Sequence, residues 1–306
     1  MSEAAECAVA LDVGGTKTAG ALVLGATGEI RSKRVLETRP ERGGEAVLAD
    51  ALALARELVI EARARGMRVL GIGVAVAELV DPEGNVTSAN LIAWRGVPVR
   101  SRFEELAPSL VEADARAAAA GEARFGAGRP FGQFFYVTVG TGIGSAFFKD
   151  GRAHTGARGS AGTVASAPLT SECAACGATS RPVLEEIASG PALVARYNQR
   201  GGRAARAEEV VAAAAAGDAA AIEVIRSAGR ALGSVVGLMV NVLDPEAVIA
   251  GGGLGSAGGL YWESFIASTR EHIWSDTNRG LPILKAAHGA DAGLVGAATV
   301  VFERLG

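Results

Sequence analysis

An aspartate, two glycines, a threonine and a lysine stand between two apolar runs near the N-terminus, in the stretch LDVGGTKTAGALVL. Backbone N–H groups bind phosphate where no side chain blocks the approach, and glycine gives that access. A tight hairpin turn is the alternative explanation. A plain hairpin, however, does not require Asp12 in front of its turn, so the stretch is compatible with a phosphate-binding loop.

Two more glycine loops follow, and each comes after a predicted strand. They are TVGTGIG at 138–144 and AGGGLG at 250–255. Three such loops in order favour a nucleotide site over three unrelated turns. Two familiar phosphate motifs are not matched: the chain has no G-x-x-x-x-G-K-[ST], and GGGLGSAG lacks the βαβ setting of a dinucleotide fingerprint.

The elements that must position these loops follow an α/β pattern. Strands are predicted at 8–13, 20–24, 30–38, 69–76, 110–112, 134–139 and 145–148, and helices at 45–65 and 114–124. The remainder is mostly helical, with a strand before the third glycine loop and a closing helix. Because 134–149 repeats the strand–turn–strand design of 8–24, two related halves are expected.

Composition narrows the class of protein. The net charge of −3 argues against a nucleic-acid partner, and no apolar stretch resembles a membrane span. The first ten residues contain no signal-like segment, and the three cysteines do not suggest a disulfide framework. We therefore expect a cytoplasmic protein.

At this point the sequence resembles the ROK family (repressor, open reading frame, kinase), which contains sugar kinases and sugar-responsive repressors. The matching stretches are LDVGGTKTAGALV, VDPEGNVTSANLIAW, EADARAAAAGEARFG, VTVGTGIGSAFF, GSAGT, LEEIASG and LDPEAVIAGGGLG. The resemblance implies the actin-like ATPase (ribonuclease H-like) α/β fold, with two domains and a cleft between them. Residues 1–115 plus 291–306 would form the small domain, and 116–290 the large nucleotide-binding domain.

The resemblance also assigns the three glycine loops to ATP. The first loop would face the phosphates, with Asp12 near Mg²⁺, and the third would lie near the nucleoside. The residues implied are Asp12, Gly14, Gly15, Thr16, Lys17, Thr138, Gly140, Thr141, Gly142, Gly251, Gly252 and Gly253. Lys17 is equally compatible with a solvated turn lysine.

Asp114 is the candidate catalytic base. Phosphoryl transfer to a sugar hydroxyl needs a base within hydrogen-bond reach of that hydroxyl. The family kinases carry it in an Asn-Asp pair at the head of a helix, and the matching residues here are Ala113 and Asp114. Apart from the resemblance, Asp114 is typical of a helix N-cap, and the two roles are compatible.

The sugar-facing positions agree with the family only in part. Asn90 and Glu185 match family residues that hold the sugar, whereas Thr163 and Ser166 replace a glutamate and a histidine. That histidine also completes the family's zinc site, of which this chain keeps only Cys173 and Cys176 in C-x-x-C spacing. Because a structural zinc site needs four ligands, no zinc is expected.

Glu78 departs from the family in a way that suggests a substrate. The kinases have Pro-Gly-Pro where this chain has Ala77-Glu78-Leu79, and the family glycine lies against the sugar. A carboxylate there would pair with an ammonium group near carbon 3 of the sugar. The hypothesis is an amino hexose, with kanosamine (3-amino-3-deoxyglucose) as the concrete candidate. The alternative is a diverged protein that phosphorylates nothing.

The predicted activity is ATP-dependent phosphorylation of the 6-hydroxyl of a hexose, in a homodimer that binds neither nucleic acid nor membrane. A glucokinase, an N-acylhexosamine kinase and a non-catalytic sugar-binding protein are the alternatives, and polyphosphate is the alternative donor. A repressor is disfavoured, because family repressors place a winged helix-turn-helix before the kinase-like body and the first strand here is predicted at about residue 8.

Overall fold

The computed structural model describes residues 4–172, 176–177 and 179–306. The chain divides into two compact units. Unit 1 comprises 1–132, 148–161 and 290–306, and unit 2 comprises 133–147 and 162–289. Within the described ranges, no helix is both long enough and apolar enough to cross a bilayer.

The secondary structure alternates between strands and helices. The described strands are β1 (Glu6–Val13), β2 (Lys17–Leu24), β3 (Ile30–Glu37), β4 (Arg68–Val76), β5 (Ser109–Ala113), β6 (Gln133–Val139), β7 (Ile143–Lys149), β8 (Arg152–Ala153), β9 (Ser171–Glu172), β10 (Thr179–Ser180), β11 (Ala247–Gly251) and β12 (Ile283–Lys285). The α-helices are α1 (Gly44–Ala64), α2 (Val99–Glu104), α3 (Asp114–Phe125), α4 (Glu185–Ala188), α5 (Gly190–Asn198), α6 (Ala207–Ala215), α7 (Ala219–Leu243), α8 (Gly252–Ala257), α9 (Gly259–His272) and α10 (Ala292–Arg304).

Unit 1 is built on a mixed sheet with the strand order β3-β2-β1-β4-β5. The first three strands pair antiparallel, whereas β4 is parallel to both β1 and β5. Alternation along β1 sorts its side chains between two layers. Val9, Leu11 and Val13 pack in the core that includes α1, and Ala8 and Ala10 pack in the core that includes α10.

Helix α10 approaches the sheet and α3 closely because the residues between them are small. A Cβ at Gly73 in β4 would overlap the carbonyl of Ala297, and one at Gly296 would overlap the carbonyl of Ala117 in α3. Helix α3 therefore belongs to unit 1. The domain boundary expected after residue 115 lies inside this unit, because α3 packs on the C-terminal helix.

Unit 2 is built on the strands β12, β11, β6 and β7, in that order. Strand β11 is parallel to both β12 and β6. Helix α7 carries glycines at every fourth residue, Gly229, Gly233 and Gly237, and a Cβ at any of them would overlap helix α9. This glycine stripe lets α7 and α9 pack backbone to backbone over the apolar core of the unit.

The long predicted elements are present, with ends that differ by a few residues. The short elements α2, β8, β9 and β10 were not predicted, because two to six residues carry too little periodic signal. The third glycine loop was predicted as a turn after a strand, but the chain begins α8 at Gly252. Gly252 has φ +78°, and its Cβ would overlap the carbonyl of Val139.

Candidate active site

Asp12 lies next to the last residue of β1, on the same side of the sheet as Ala8 and Ala10. That side faces α10, and a Cβ at Gly293 in the first turn of that helix would overlap the Asp12 carboxylate. Burial is the main reason that the pKa of Asp12 rises to about 7. The charges of Asp114 and Asp291 raise this pKa further, and Lys33 opposes them. A nearby cation would therefore stabilise the ionised form of Asp12.

The turn after Asp12 is stabilised by the hydroxyl of Thr38, a residue that was not predicted to belong to the site. The N–H of Gly14 donates to the carbonyl of Lys17 (3.0 Å), which closes the turn. The Thr38 hydroxyl, just past β3, donates to the carbonyl of Gly14 (2.7 Å). Because that hydroxyl has one proton, Thr18 must be the donor in the 3.0 Å contact between the Thr18 and Thr38 hydroxyls. These bonds fix the shape of the first glycine loop.

Asp114 is the first residue of α3 rather than its N-cap, which is Ala113. Its Oδ1 accepts the N–H of Ala115 (2.6 Å). Burial raises the pKa of Asp114 to about 6, and the charge of Glu78 adds to the rise. The Ala115 N–H and the charge of Arg116 oppose it. A carboxyl group with this pKa is ionised at neutral pH and is a stronger base than an exposed aspartate.

Arg116 fixes the helix that carries Asp114. Its side chain is 4% exposed and contacts Glu112 through Nε (2.7 Å) and Nη2 (2.6 Å). Nη1 donates to the carbonyl of Gly159 and Nη2 to that of Val80, both at 2.6 Å. One guanidinium therefore ties the start of α3 to β5 and to two loops of unit 1.

Glu78 is buried and its carboxylate is occupied by groups of the protein itself. Oε2 accepts the Ser88 hydroxyl and the N–H of Asn90 (2.9 Å). Oε1 accepts the N–H groups of Leu91 (2.6 Å) and Ile92 (2.8 Å). A carboxylate has about four acceptor sites. This geometry favours an internal role over the predicted contact with a sugar ammonium.

In unit 2, Glu185 supports the second glycine loop. Its Oε2 accepts the N–H of Ile143 (2.7 Å), and a Cβ at Gly142 would lie 2.8 Å from the same oxygen. The N–H of Gly140 donates to the carbonyl of Gly142 (2.9 Å), and the N–H of Gly190 donates to the carbonyl of Gly140 (2.8 Å). The loop between β6 and β7 is thus bonded to the start of α4 and of α5.

The third glycine loop opens beside an apolar cavity of about 140 Å³ in unit 2. Its lining includes Val211, Ile225, Leu254 and Tyr261. The Tyr261 hydroxyl donates to the carbonyl of Ala188 (3.0 Å) and is therefore satisfied inside the protein. A cavity of this kind suits a flat apolar group such as a nucleobase better than a phosphate.

The predicted residues fall into two groups, one in each unit. Asp12, the Gly14–Lys17 turn, Glu78, Asn90 and Asp114 belong to unit 1, and the second and third glycine loops, Thr163 and Glu185 belong to unit 2. Asn90, Thr163, Thr16 and Lys17 are exposed. Thr38 and Arg116 were not predicted, and no local signal identifies them, because they bond to backbone carbonyls far away along the chain.

The surroundings of Asp12 fit a Mg²⁺ ion that is held mainly by the phosphates of a bound nucleotide. Among the described residues, no group of three or more His, Cys, Asp or Glu side chains could hold a metal by itself. Mg²⁺ is commonly held by one or two carboxylates together with substrate phosphates, which matches a single acidic side chain beside a glycine turn. The prediction that zinc is absent depends on Cys173, which lies outside the described residues; Cys176 is exposed.

Comparison with known proteins gives relatives along the whole chain. A bifunctional NanE/NanK enzyme of Brucella melitensis is 34% identical over 95% of this chain, and the chain spans about half of that longer protein (53%). A glucokinase of Streptomyces coelicolor is 30% identical over 96% of this chain and 97% of its own.

Among solved structures, a ROK family glucokinase from Streptomyces griseus in complex with glucose and AMPPNP has a TM-score of 0.81. It is 29% identical and covers 96% of this chain and 98% of its own. This likeness confirms the predicted two-domain actin-like ATPase fold. The ROK family profile matches residues 8–304, and the chain belongs to the ROK family.

Proposed function

We propose that this protein transfers the γ-phosphoryl group of ATP to the 6-hydroxyl of a hexose. The observation that carries the proposal is Asp114, a carboxylate at the start of α3 whose pKa is raised to about 6 by burial. The similar glucokinase, whose structure contains glucose and AMPPNP, supports the same class of reaction.

In the proposed reaction Asp114 accepts the proton of the sugar's 6-hydroxyl while the hydroxyl oxygen attacks the γ-phosphorus. A new O–P bond forms, the bond from the γ-phosphorus to the bridging oxygen breaks, and ADP leaves with the electron pair. Asp114 is suited to this step because general bases work best with a pKa near the working pH. Arg116 holds the helix that sets its position.

Each unit carries its own candidate nucleotide-binding loops. The Gly14–Lys17 turn of unit 1 and the Thr138–Gly142 loop of unit 2 are each proposed to bind phosphate through backbone N–H groups. Gly251–Gly253 are proposed to lie near the nucleoside, and Leu254, the next residue, lines the apolar cavity. Mg²⁺, when bound, would neutralise charge on the phosphates, with Asp12 as its protein ligand.

The identity of the sugar is the finer part of the proposal. Asn90, Thr163 and Glu185 are proposed to contact sugar hydroxyls. Kanosamine was the predicted substrate because Glu78 would face its amine, but that carboxylate already accepts four hydrogen bonds. We therefore propose a neutral hexose as the acceptor and keep kanosamine as the amino hexose to be tested beside it.

The test is a coupled ADP-release assay with purified protein, Mg²⁺ and a panel of glucose, mannose, N-acetylmannosamine, N-acetylglucosamine and kanosamine. We expect turnover with a neutral hexose, and ³¹P NMR should show a 6-phosphate. Binding of sugar without ADP release would support the non-catalytic alternative. Replacement of ATP by polyphosphate in the same assay decides the donor.

Two other proposals concern the assembly and the location of the protein. A homodimer is expected, and sedimentation velocity at micromolar concentration measures its mass directly. A cytoplasmic location is expected as well, and fractionation of cells that produce the protein tests it.

A further inference from the structure

The buried carboxylate of Glu78 in unit 1 accepts hydrogen bonds from the loop formed by residues 88–92. Glu78 is 5% exposed, and its two oxygens accept the Ser88 hydroxyl and three consecutive backbone N–H groups, those of residues 90–92. Three successive N–H groups pointing at one point form a binding site for an anion. Here the anion is part of the chain.

We propose that Glu78 is a positioning residue that fixes the loop 88–92 and thereby holds Asn90 in place for the sugar. The side chain of Asn90 is exposed although its N–H is tied to Glu78 Oε2 (2.9 Å), so the backbone is held while the amide group stays available. The kinetic part of this inference rests on the proposed function, whereas the anchoring part does not.

The other restraints on the loop lie on either side of Asn90: the Ser88 hydroxyl also accepts the N–H of Leu79 (2.8 Å), and the side chain of Ile92 is fully buried. At the two ends of this segment, the N–H of Thr87 donates to the carbonyl of Leu79 (2.8 Å) and the N–H of Trp94 donates to the carbonyl of Ile92 (2.7 Å). The indole of Trp94 is fixed separately by the carbonyl of Gly44 (2.8 Å). Between these ends, the Glu78 carboxylate accepts the three N–H groups of residues 90–92.

Removal of the carboxylate would leave these donors facing an empty space. Buried N–H groups without an acceptor are unfavourable, so the loop would rearrange or take up water. The expected kinetic result for Glu78→Ala is a KM for the sugar raised roughly 10- to 100-fold, since small displacements of a positioning group have effects of this size. The KM for ATP and kcat should change less than threefold.

The matched control is Glu83→Ala, which removes an exposed glutamate from the same part of unit 1. We expect it to match the wild type in every measurement. A direct ammonium contact predicts a different pattern: Glu78→Ala would then lose activity on kanosamine selectively and leave the KM for glucose unchanged. That outcome would overturn the anchoring role.

Chemical rescue gives a second, independent measurement. Formate can occupy the site of the lost carboxylate, so 50–200 mM sodium formate should lower the sugar KM of Glu78→Ala towards the wild-type value. Sodium chloride at the same ionic strength should not do so. A KM that formate leaves unchanged, in a variant whose sugar KM is raised, would contradict the proposal.

Amide hydrogen exchange tests the anchor without any assay of activity. In Glu78→Ala, the amides of residues 90–92 should exchange at least tenfold faster than in the wild type and Glu83→Ala, and formate should restore their protection. Unchanged exchange would refute the anchor even in an active enzyme. If exchange responds as expected but the wild type phosphorylates no sugar, the proposed function fails and the anchor stands.

Discussion

Asp12 and Asp114 are two aspartates of unit 1 whose pKa values are raised for the same main reason, burial, and yet they suit different tasks. Asp12 faces the first turn of α10 and has Asp114 and Asp291 as acidic neighbours, so it is suited to a cation. Asp114 has Arg116 as a positive neighbour and is ionised at lower pH. These different surroundings suit Asp12 to the proposed metal ligand and Asp114 to the proposed base.

Asp114→Asn should lower kcat by about 10²- to 10⁴-fold, the range that a positioned base contributes. The KM for ATP should stay within threefold of the wild type, because the glycine loops are untouched. In the wild type, kcat/KM should fall as the pH drops below about 6, where Asp114 takes up its proton. Steady-state assays between pH 5 and 8 measure both effects, and an Asn variant with undiminished kcat would exclude Asp114 as the base.

The same substitution should stabilise the folded protein at high pH. The pKa of Asp114 is about 6 in the folded state, against an ordinary value of 3.8. Its contribution to stability is therefore complete below pH 3.8 and is lost as the pH rises through 6.

At pH 8 the charge of the partly buried Asp114 lowers the free energy of unfolding by roughly 1 to 3 kcal/mol, and asparagine avoids this loss. Thermal unfolding should consequently show a larger gain in Tm for Asp114→Asn at pH 8 than at pH 4.5. Equal gains at the two pH values would contradict the raised pKa.

Single residues were predictable from the sequence where their side chain is chemically reactive and stands in a recognisable motif. Residues whose role depends on partners brought close by the fold were not. Asp12 and Asp114 stand beside recognisable loops and helix starts. Thr38 and Arg116 act on backbone carbonyls 24 to 43 residues away, and no local pattern announces such partners. The four donors of Glu78 were missed for the same reason.

At the scale of elements, the first glycine loop depends on the end of β3. Thr38→Val keeps the shape of the side chain but removes the donor to the Gly14 carbonyl and the acceptor for Thr18. The loop should loosen, and the KM for ATP should rise about tenfold while the sugar KM stays within threefold. Thr27→Val, at an exposed turn before the same strand, is the control. Equal KM values for ATP in the two variants would show that Thr38 does not position the first glycine loop.

Helix α10 limits the space around Asp12 in a similar way. Gly293→Ala places a methyl group where the Asp12 carboxylate lies, so the carboxylate or the helix must move. We expect a loss of kcat/KM of at least tenfold and a destabilisation of about 1 to 3 kcal/mol. Gly280→Ala adds its methyl group in open space and serves as the control. Wild-type kinetics in Gly293→Ala would show that the position of Asp12 is not critical.

Long elements were predictable because their periodicity spans many residues, as in α7 and in β1. Their packing was not. The approach of α10 to the sheet depends on Gly73, and its approach to α3 depends on Gly296. The sequence shows these residues only as glycines within a strand and a helix. Which helix covers which face follows from such contacts and cannot be deduced from spacing.

At the scale of the whole molecule, the chain begins and ends in the same unit. Leu294, Ala297, Ala298 and Val301 of α10 complete the core against Ala8 and Ala10 of β1. The sequence predicted that the final helix joins the first domain, but it placed α3 in the other. The helix–helix contact at Gly121 and Gly296, which decides this point, joins residues far apart in the chain.

Because unit 1 needs its last helix, its stability should respond to core changes there as strongly as to changes in the first strand. Val301 is fully buried and Leu305, one turn later, is 38% exposed. Val301→Ala should lower the free energy of unfolding by about 2 kcal/mol, since it removes two buried methyl groups and leaves a cavity. Leu305→Ala, a larger truncation by volume, should cost less than 1 kcal/mol. Urea unfolding followed by circular dichroism measures both, and the reverse ranking would show that α10 does not complete this core.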